Sequence, residues 1–337
     1  MSGRTFVVIG SNCFTGSHIV DALLADPDNS VIGVSRAEES KDIYLPYKAR
    51  HSASFEFRQG DLVTGMPALL AMLASVRPEV VINVAALSEV ALSNDSPVEY
   101  YETNTLAVVR LTAFLRRQAW LMRYVHISSA EIFGSCSEPL DESAPFHPST
   151  PYAVSKASAD LHLGTLMRNF QFPATLIRST NIYGRHQQLF KIIPRTIIYV
   201  KLGRLIELHG GGTATKNFTH IRDVVDGVLK AIEKGGAGTY HFSDTSDHTV
   251  ADVVRLTCEA MGRDFSACAK IVGERLGQDA RYVLDCGRAS RELGWKPAVP
   301  FQDGLREVVE WIDRDWAVIK DEPLQYLHRV SRVKLGG

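Results

Sequence analysis

Apolar positions along the chain repeat with two periods. Residues 5–9 form a short β-branched and aromatic run, and residues 17–24 then space their apolar side chains as a helix does. Short apolar runs return at 31–34, 55–57, 79–84, 124–127 and 176–178. Helical spacing appears between them, most clearly over 97–117 and 152–167. Strands alternating with helices through residue 180 predict an α/β fold built on a mostly parallel, doubly wound Rossmann sheet. Beyond residue 184 the pattern loosens into a loop, helices at 194–201, up to 232, 250–261 and 301–316, and a glycine turn at Gly210-Gly211-Gly212. This half reads as a smaller, mixed α/β lobe. No repeat, low-complexity tract or linker separates the halves.

Composition narrows the class. A length of 337 residues supports a large core and two lobes. A net charge of −1 offers neither a basic face for nucleic acid nor a polybasic patch for a membrane, so neither partner is expected. Five cysteines without a Cys-x-x-Cys pair point to reduced thiols in a cytoplasmic protein. The first residues run straight into a strand rather than a signal-peptide core, and no apolar run approaches membrane-spanning length. The histidines lack metal-ligand spacing, so no catalytic metal is expected.

Candidate chemistry begins at the first strand end. Gly10-Ser11-Asn12-Cys13-Phe14-Thr15-Gly16 links strand to helix as the phosphate-cradling turn of a dinucleotide site does. Gly10 allows the tight turn and Gly16 lets the helix pack closely, while Cys13 stands where the central glycine is usual. The second strand ends in Ser35-Arg36 rather than an acid, a hydroxyl and guanidinium suited to a 2′-phosphate; NADP is therefore favoured, with NAD the alternative. Asp61, with Leu62 beside it, follows the third strand, where a carboxylate suits the adenine amino group. Ala85-Ala86 after the fourth strand lets the backbone pass close to a cofactor. Ser128-Ser129-Ala130-Glu131 leaves the next strand, and Tyr152 and Lys156 lie four apart on one helix face. An ammonium near a phenol favours the phenolate, which suits Tyr152 as a base, with Ser129 bonding the oxygen that loses its proton.

Together these residues resemble the extended short-chain dehydrogenase/reductase family, and within it the nucleotide-sugar epimerases and dehydratases, nearest the 4,6-dehydratases. The resemblance runs from Gly10 to Pro297 and includes Asn104, Arg178 with Asn181-Ile182-Tyr183-Gly184, and the tail through Leu293-Gly294-Trp295-Lys296-Pro297. It implies a cofactor-binding part over 1–180 with a returning segment near 215–245, and a nucleotide-sugar lobe over 181–330. It implies that Tyr152 takes the C4 hydroxyl proton as hydride leaves C4, that Lys156 holds the nicotinamide ribose, and that Asn104 lies beside the catalytic group. A glutamate at position 131 resembles the acid that removes the C5 proton in a 4,6-dehydratase. Ala130 stands where those enzymes carry an aspartate or serine, leaving a water, Ser88, Glu89 or another group to act on the leaving hydroxyl. A 4-epimerase needs only Ser129, Tyr152 and Lys156; a uronic-acid decarboxylase and an idle nucleotide-binding protein are further alternatives. Asn181, Lys191, Arg195, Lys216, Arg275 and Arg281 are the candidates for holding the substrate, the cations for its diphosphate; taken singly, each cation is as readily a solvated surface charge. The family also implies a homodimer that pairs the 97–117 and 152–167 helices.

Overall fold

The computed structural model describes residues 3–244, 246–273 and 281–325. Arg275 lies outside them. The strands are β1 (Thr5–Ile9), β2 (Ser30–Ser35), β3 (Phe55–Gln59), β4 (Val80–Asn83), β5 (Arg123–Ile127), β6 (Ala174–Ser179) and β7 (Asn181–Tyr183), followed by β8 (Ile206–His209), β9 (Thr215–His220), β10 (Gly238–Phe242), β11 (Asp247–Thr249) and β12 (Ala269–Val272). Seven of them form one sheet in the order β10-β6-β5-β4-β1-β2-β3, every neighbouring pair parallel. A smaller mixed sheet, β11-β9-β7, and the pair β12-β8 make up the rest.

Helices cover both faces of the large sheet and pack against the smaller sheets. They are α1 (Phe14–Leu23), α2 (Met66–Val76), α3 (Val90–Asp95), α4 (Pro97–Tyr101), α5 (Ala107–Leu115), α6 (Pro151–Phe170), α7 (Ile192–Lys201), α8 (Ile221–Glu233), α9 (Val250–Ala260), α10 (Gly287–Leu293) and α11 (Phe301–Arg314). The period of two along β1 shows why both faces need covering. Phe6 and Val8 pack with Ile19, Val20 and Leu23 of α1 and Val228 of α8, whereas Val7 and Ile9 pack with Leu73 of α2, Leu111 of α5 and Leu163 of α6. Each such buried side chain stabilises the fold by about 1.5–3 kcal/mol. A third apolar cluster, around Tyr183, Ile197, Leu305 and Trp311, ties α7 and α11 to the smaller sheet.

The expected single helix over 97–117 is interrupted. A π turn, Glu102–Leu106, separates α4 from α5 and carries the buried Asn104. The Asn104 amide donates to the Leu87 carbonyl at 3.0 Å and to Ser155 Oγ at 2.9 Å, and its oxygen accepts from the Leu87 amide at 2.9 Å. These bonds hold the widened turn against α6 and against the chain leaving β4; π turns of this kind recur at functional sites.

The strand order reverses at β1. The chain moves outward through β2 and β3, then crosses to β4 on the other side. In such sheets the crevice lies at the carboxyl ends of the two strands that flank the reversal, here β1 and β4.

Candidate active site

The chain leaving β1 enters that crevice through Gly10, whose φ is +96°; a Cβ there would lie 2.7 Å from the Ala85 amide nitrogen. Only glycine lets the two strand exits come this close. A Cβ on Gly16 would fall 2.1 Å from the Gly10 carbonyl, so α1 starts hard against the turn. Cys13 fills the central position as the N-cap of α1, its Sγ accepting from the Gly16 amide at 3.3 Å. Burial pushes this thiol up to about 11, so it stays protonated. The thiol therefore caps the helix where the usual glycine would leave space.

Asn12 and Ser35 tie the turn to the end of β2. The Asn12 amide donates to Ser35 Oγ at 2.9 Å, and its side chain donates to the carbonyls of Ala37 and Glu38 at 3.2 and 2.8 Å. Arg36 follows, half-buried, its carbonyl accepting from Gln59. Asp61 accepts from the amides of Val63 and Thr64 at 2.6 and 3.0 Å, and Leu62 is buried in the core beside Val34.

A cleft of about 670 Å³ opens from this crevice toward the smaller sheets, within the size range of small-molecule sites. Cys13, Phe14, Thr15 and Ala86 line its cofactor side. Ser129, Glu131, Tyr152 and Lys156 line it too, as do Ser88, Glu89, Asn181, Lys191 and Lys216. Residues separated by more than a hundred positions thus share one cavity. Arg195 and Arg281 are not among the lining residues: Arg281 donates to the Ser137 carbonyl and pairs with Asp247 at 2.6 Å, and Arg195 follows Lys191 one turn along α7.

Each central side chain has a local reason for its place. Ser129 caps a short 3-10 turn, Ala130–Phe133, accepting from the Glu131 amide at 3.2 Å. That turn aims Glu131 into the cleft and Ala130 away from it, into an apolar cluster with Ile132, Phe133, Ala157 and Tyr282. Thr150 caps α6 and Pro151 occupies its first turn, which sets Tyr152 at the helix start and Lys156 one turn later. Tyr100 meets Tyr152 edge to face, ring centroids 6.3 Å apart. Asn181 donates to the Asn217 carbonyl and accepts from the Tyr282 hydroxyl, and the Lys216 ammonium lies 4.6 Å from the centre of the Tyr282 ring.

The electrostatics differ from a simple lysine–phenol pair. Lys156 is buried and donates to the Ile127 carbonyl at 2.7 Å, and burial pulls its ammonium down to about 8. Tyr152 is held well above its ordinary value, by burial first and by the Glu131 charge second, with the Ser129 hydrogen bond acting the other way. The phenol therefore carries its proton in the unliganded protein. Removing it requires positive charge or a hydrogen-bonded substrate oxygen to enter the cleft.

Two observations show that the crevice fits a dinucleotide. Gly10 and Gly16 keep the turn and the N-terminus of α1 free of side chains, and Cys13, Phe14 and Thr15 of that turn line the cleft, where a pyrophosphate would sit. Ser128 Oγ is buried against the cleft with no hydrogen-bond partner, a group a polar ring substituent would satisfy. Ser128 stands one residue before the serine singled out from sequence; the doublet itself was the available signal. The ion pair between Glu89 and Lys191, 2.5 Å across the cleft, carried no sequence signal because the partners are 102 residues apart. Among the described residues no group of His, Cys, Asp and Glu is placed to hold a metal ion, and no helix is long and apolar enough to cross a membrane.

Comparison with known proteins identifies the family. The family model for GDP-mannose 4,6 dehydratase matches residues 7–308. The dTDP-D-glucose 4,6-dehydratase of Mus musculus is 27% identical over 322 residues, covering 93% of this chain and 90% of that protein. The dTDP-glucose 4,6-dehydratase of Haemophilus influenzae is 26% identical over 328 residues, covering 90% and 96%. Among solved structures, the dTDP-glucose 4,6-dehydratase of Streptomyces venezuelae with NAD bound superposes with a TM-score of 0.84 at 30% identity, covering 93% of this chain and 98% of that one. A UDP-glucose 4-epimerase from Thermotoga maritima, at 24% identity and a TM-score of 0.84, shares the fold. The chain belongs to the GDP-mannose 4,6 dehydratase family.

Proposed function

We propose that this protein is a nucleotide-sugar 4,6-dehydratase. The observation that carries the reading is Glu131, whose side chain lines the same cleft as Ser129 and Tyr152. When bound, a nicotinamide cofactor supplies the hydride acceptor at C4 and later the hydride donor at C6. Tyr152 takes the C4 hydroxyl proton, with Ser129 bonding the same oxygen. Lys156, beneath the phenol on α6, holds the nicotinamide ribose. The C4 ketone then acidifies the C5 proton, which Glu131 removes while hydroxide leaves C6. Glu131 gives that proton back to C5 as C6 is reduced.

Cofactor and substrate divide the chain near residue 180. Gly10, Asn12, Cys13, Phe14, Thr15 and Gly16 form the pyrophosphate turn, Asp61 and Leu62 flank the adenine, and Ala85 and Ala86 line its path. Asn104 acts at one remove, fixing Leu87 and α6. Arg36 at the end of β2 favours NADP over NAD; Ser35 supports the turn through Asn12. On the substrate side, Asn181 and Lys216 are placed for the nucleotide diphosphate. Arg195 and Arg281 contribute at longer range. The exposed Val98 (66%) and Leu106 (46%), with Leu161 (60%) and Phe170 (57%) on α6, fit a symmetric homodimer through these helices. Five free thiols suit a cytoplasmic setting.

One observation favours a second reading. Ala130 packs into an apolar cluster, so no acid beside Glu131 faces the substrate, and a 4-epimerase requires none. Nuclear magnetic resonance of products from a panel of nucleotide-linked hexoses in deuterated water decides. A 4-keto-6-deoxy product bearing deuterium at C5 is expected. A C4-inverted sugar with its C6 hydroxyl intact and no carbon-bound deuterium would instead establish the epimerase.

A further inference from the structure

Loss of hydroxide from C6 needs a proton, and the residue preceding Glu131 cannot give one. Ala130 is 1% exposed, turned from the cleft and enclosed by Ile132, Phe133, Ala157 and Tyr282. The proton must come from another wall of the cavity. Tyr152 is committed to the C4 oxygen and Glu131 to the C5 proton. Lys156 spends its ammonium on the Ile127 carbonyl, and Lys216 lies over the Tyr282 ring. The opposite wall carries the ion pair of Glu89 and Lys191.

This pair is built rather than incidental. Glu89 leaves the chain after β4, where the Tyr100 hydroxyl donates to its carbonyl at 2.6 Å; the same Tyr100 ring packs against Tyr152. Glu89 therefore stands beside the phenol, and its charge adds to that of Glu131 in raising the phenol's pKa. Lys191 comes from the other half of the chain as the N-cap residue of α7, its ammonium 5.0 Å from the centre of the Phe190 ring. The two side chains meet in the same cavity that Tyr152 and Glu131 line. Both are partly exposed, 23% and 37%, so a spent amine can take a proton from solvent.

We infer that Lys191, aimed by Glu89, is the general acid that protonates the departing C6 hydroxyl. The assignment rests on the dehydratase reading. In the step, the C5–H electron pair becomes the C5–C6 double bond as the proton passes to Glu131. The C6–O bond breaks with its electrons on oxygen, and that oxygen takes a proton from the Lys191 ammonium and leaves as water. The resulting free amine is recharged from solvent. Glu89 holds the ammonium in position. An ammonium is a far stronger acid than water, so the transfer to departing hydroxide is downhill.

The test uses Lys191→Met and Glu89→Gln with two substrates, a nucleotide-linked hexose and its 6-deoxy-6-fluoro analogue. Fluoride leaves without needing a full proton. With the natural hydroxyl, Lys191→Met should release water about 10²–10⁴-fold more slowly. It should still reduce the cofactor on mixing and stall at the 4-keto-hexose, because C5 deprotonation is coupled to departure of the C6 oxygen. With the fluoro analogue the variant should return to within about tenfold of the parent, the recovery expected when only the acid is missing. Glu89→Gln should show the same pattern at smaller amplitude. Equal losses on both substrates, or a loss confined to KM, would make Lys191 a substrate-holding residue and overturn the assignment. A parent enzyme that yields only C4-inverted sugar would remove the dehydratase reading itself, and the acid with it.

Discussion

Lys156 Nζ donates a 2.7 Å hydrogen bond to the carbonyl of Ile127, the last residue of the strand that delivers Ser128 and Ser129 to the cleft. A buried cation is thus pinned to the backbone that carries Ser128 and Ser129, at a burial that disfavours its charge. The folded protein holds this amine near 8 against 10.5 in the open chain. Between those values the unfolded state binds more protons, so stability rises with pH across that window, and the cost is fully present below it. That cost is about 3 kcal/mol, offset in part by the bond to Ile127. Lys156→Met should therefore raise stability at pH 7 by about 1–3 kcal/mol while abolishing turnover, and the gain should fade as pH approaches 10.5. Denaturant titrations at pH 7 and pH 10 read both arms. A variant less stable than its parent at pH 7 would mean that the bond outweighs the buried charge.

Tyr152→Phe leaves the ring packed against Tyr100 and removes the phenol hydroxyl that bonds Ser129. Substrate should bind with little change in KM, and kcat should fall by about 10²–10⁴-fold. Stopped-flow absorbance of the reduced nicotinamide measures the oxidation directly. Cofactor reduction at the parent rate would take Tyr152 out of the mechanism.

Cofactor choice should turn on Arg36. Arg36→Ala should weaken NADP by about 1–3 kcal/mol, the scale of a charged hydrogen bond, and leave NAD nearly unchanged. Calorimetric titration with both cofactors tests this; tighter binding of NAD than NADP by the parent protein would overturn the preference.

Gly10→Ala places a methyl group 2.7 Å from the Ala85 amide, on a residue with φ of +96°. The strained backbone alone costs about 1–3 kcal/mol. Thermal melts should show the loss. Added cofactor should recover less of it than in the parent, because the same displacement moves the turn that holds the pyrophosphate.

The dimer proposal predicts that Leu161→Glu, at a position 60% exposed on α6, yields a monomer in light scattering without lowering the melting temperature of the isolated chain. A parent protein that already runs as a monomer at micromolar concentration would reject it.

Much of the fold was legible because the signals were local. The β1 apolar run, Gly10, Gly16 and the alternation through β6 each name their structure within a few residues, and Tyr152 and Lys156 share a face by helical period alone. What was not legible depended on distant partners. Periodicity alone could not interrupt the 97–117 helix, since the π turn is held by Leu87 and Ser155. The ion pair of Arg281 with Asp247, 34 positions away, likewise had no local signal. The Ile127 carbonyl that Lys156 bonds is a partner with no side-chain signature. Cys13, a departure from the glycine pattern, proves to be a helix cap, a role a thiol can take only with this backbone geometry.

The pairing of β10 with β6 joins Gly238–Phe242 to Thr175–Ser179. Everything between them, including the loop that carries Lys191 and the strand that carries Lys216, must be synthesised before the large sheet gains its last strand. On the ribosome, the nascent cofactor-binding half would present β6 as an open edge, a template for pairing with other chains. Closing it requires a long loop, and such non-local pairing is slow. The enzyme's two binding halves are therefore committed to each other during folding, and truncation at residue 180 should produce an aggregating fragment rather than a stand-alone nucleotide-binding domain.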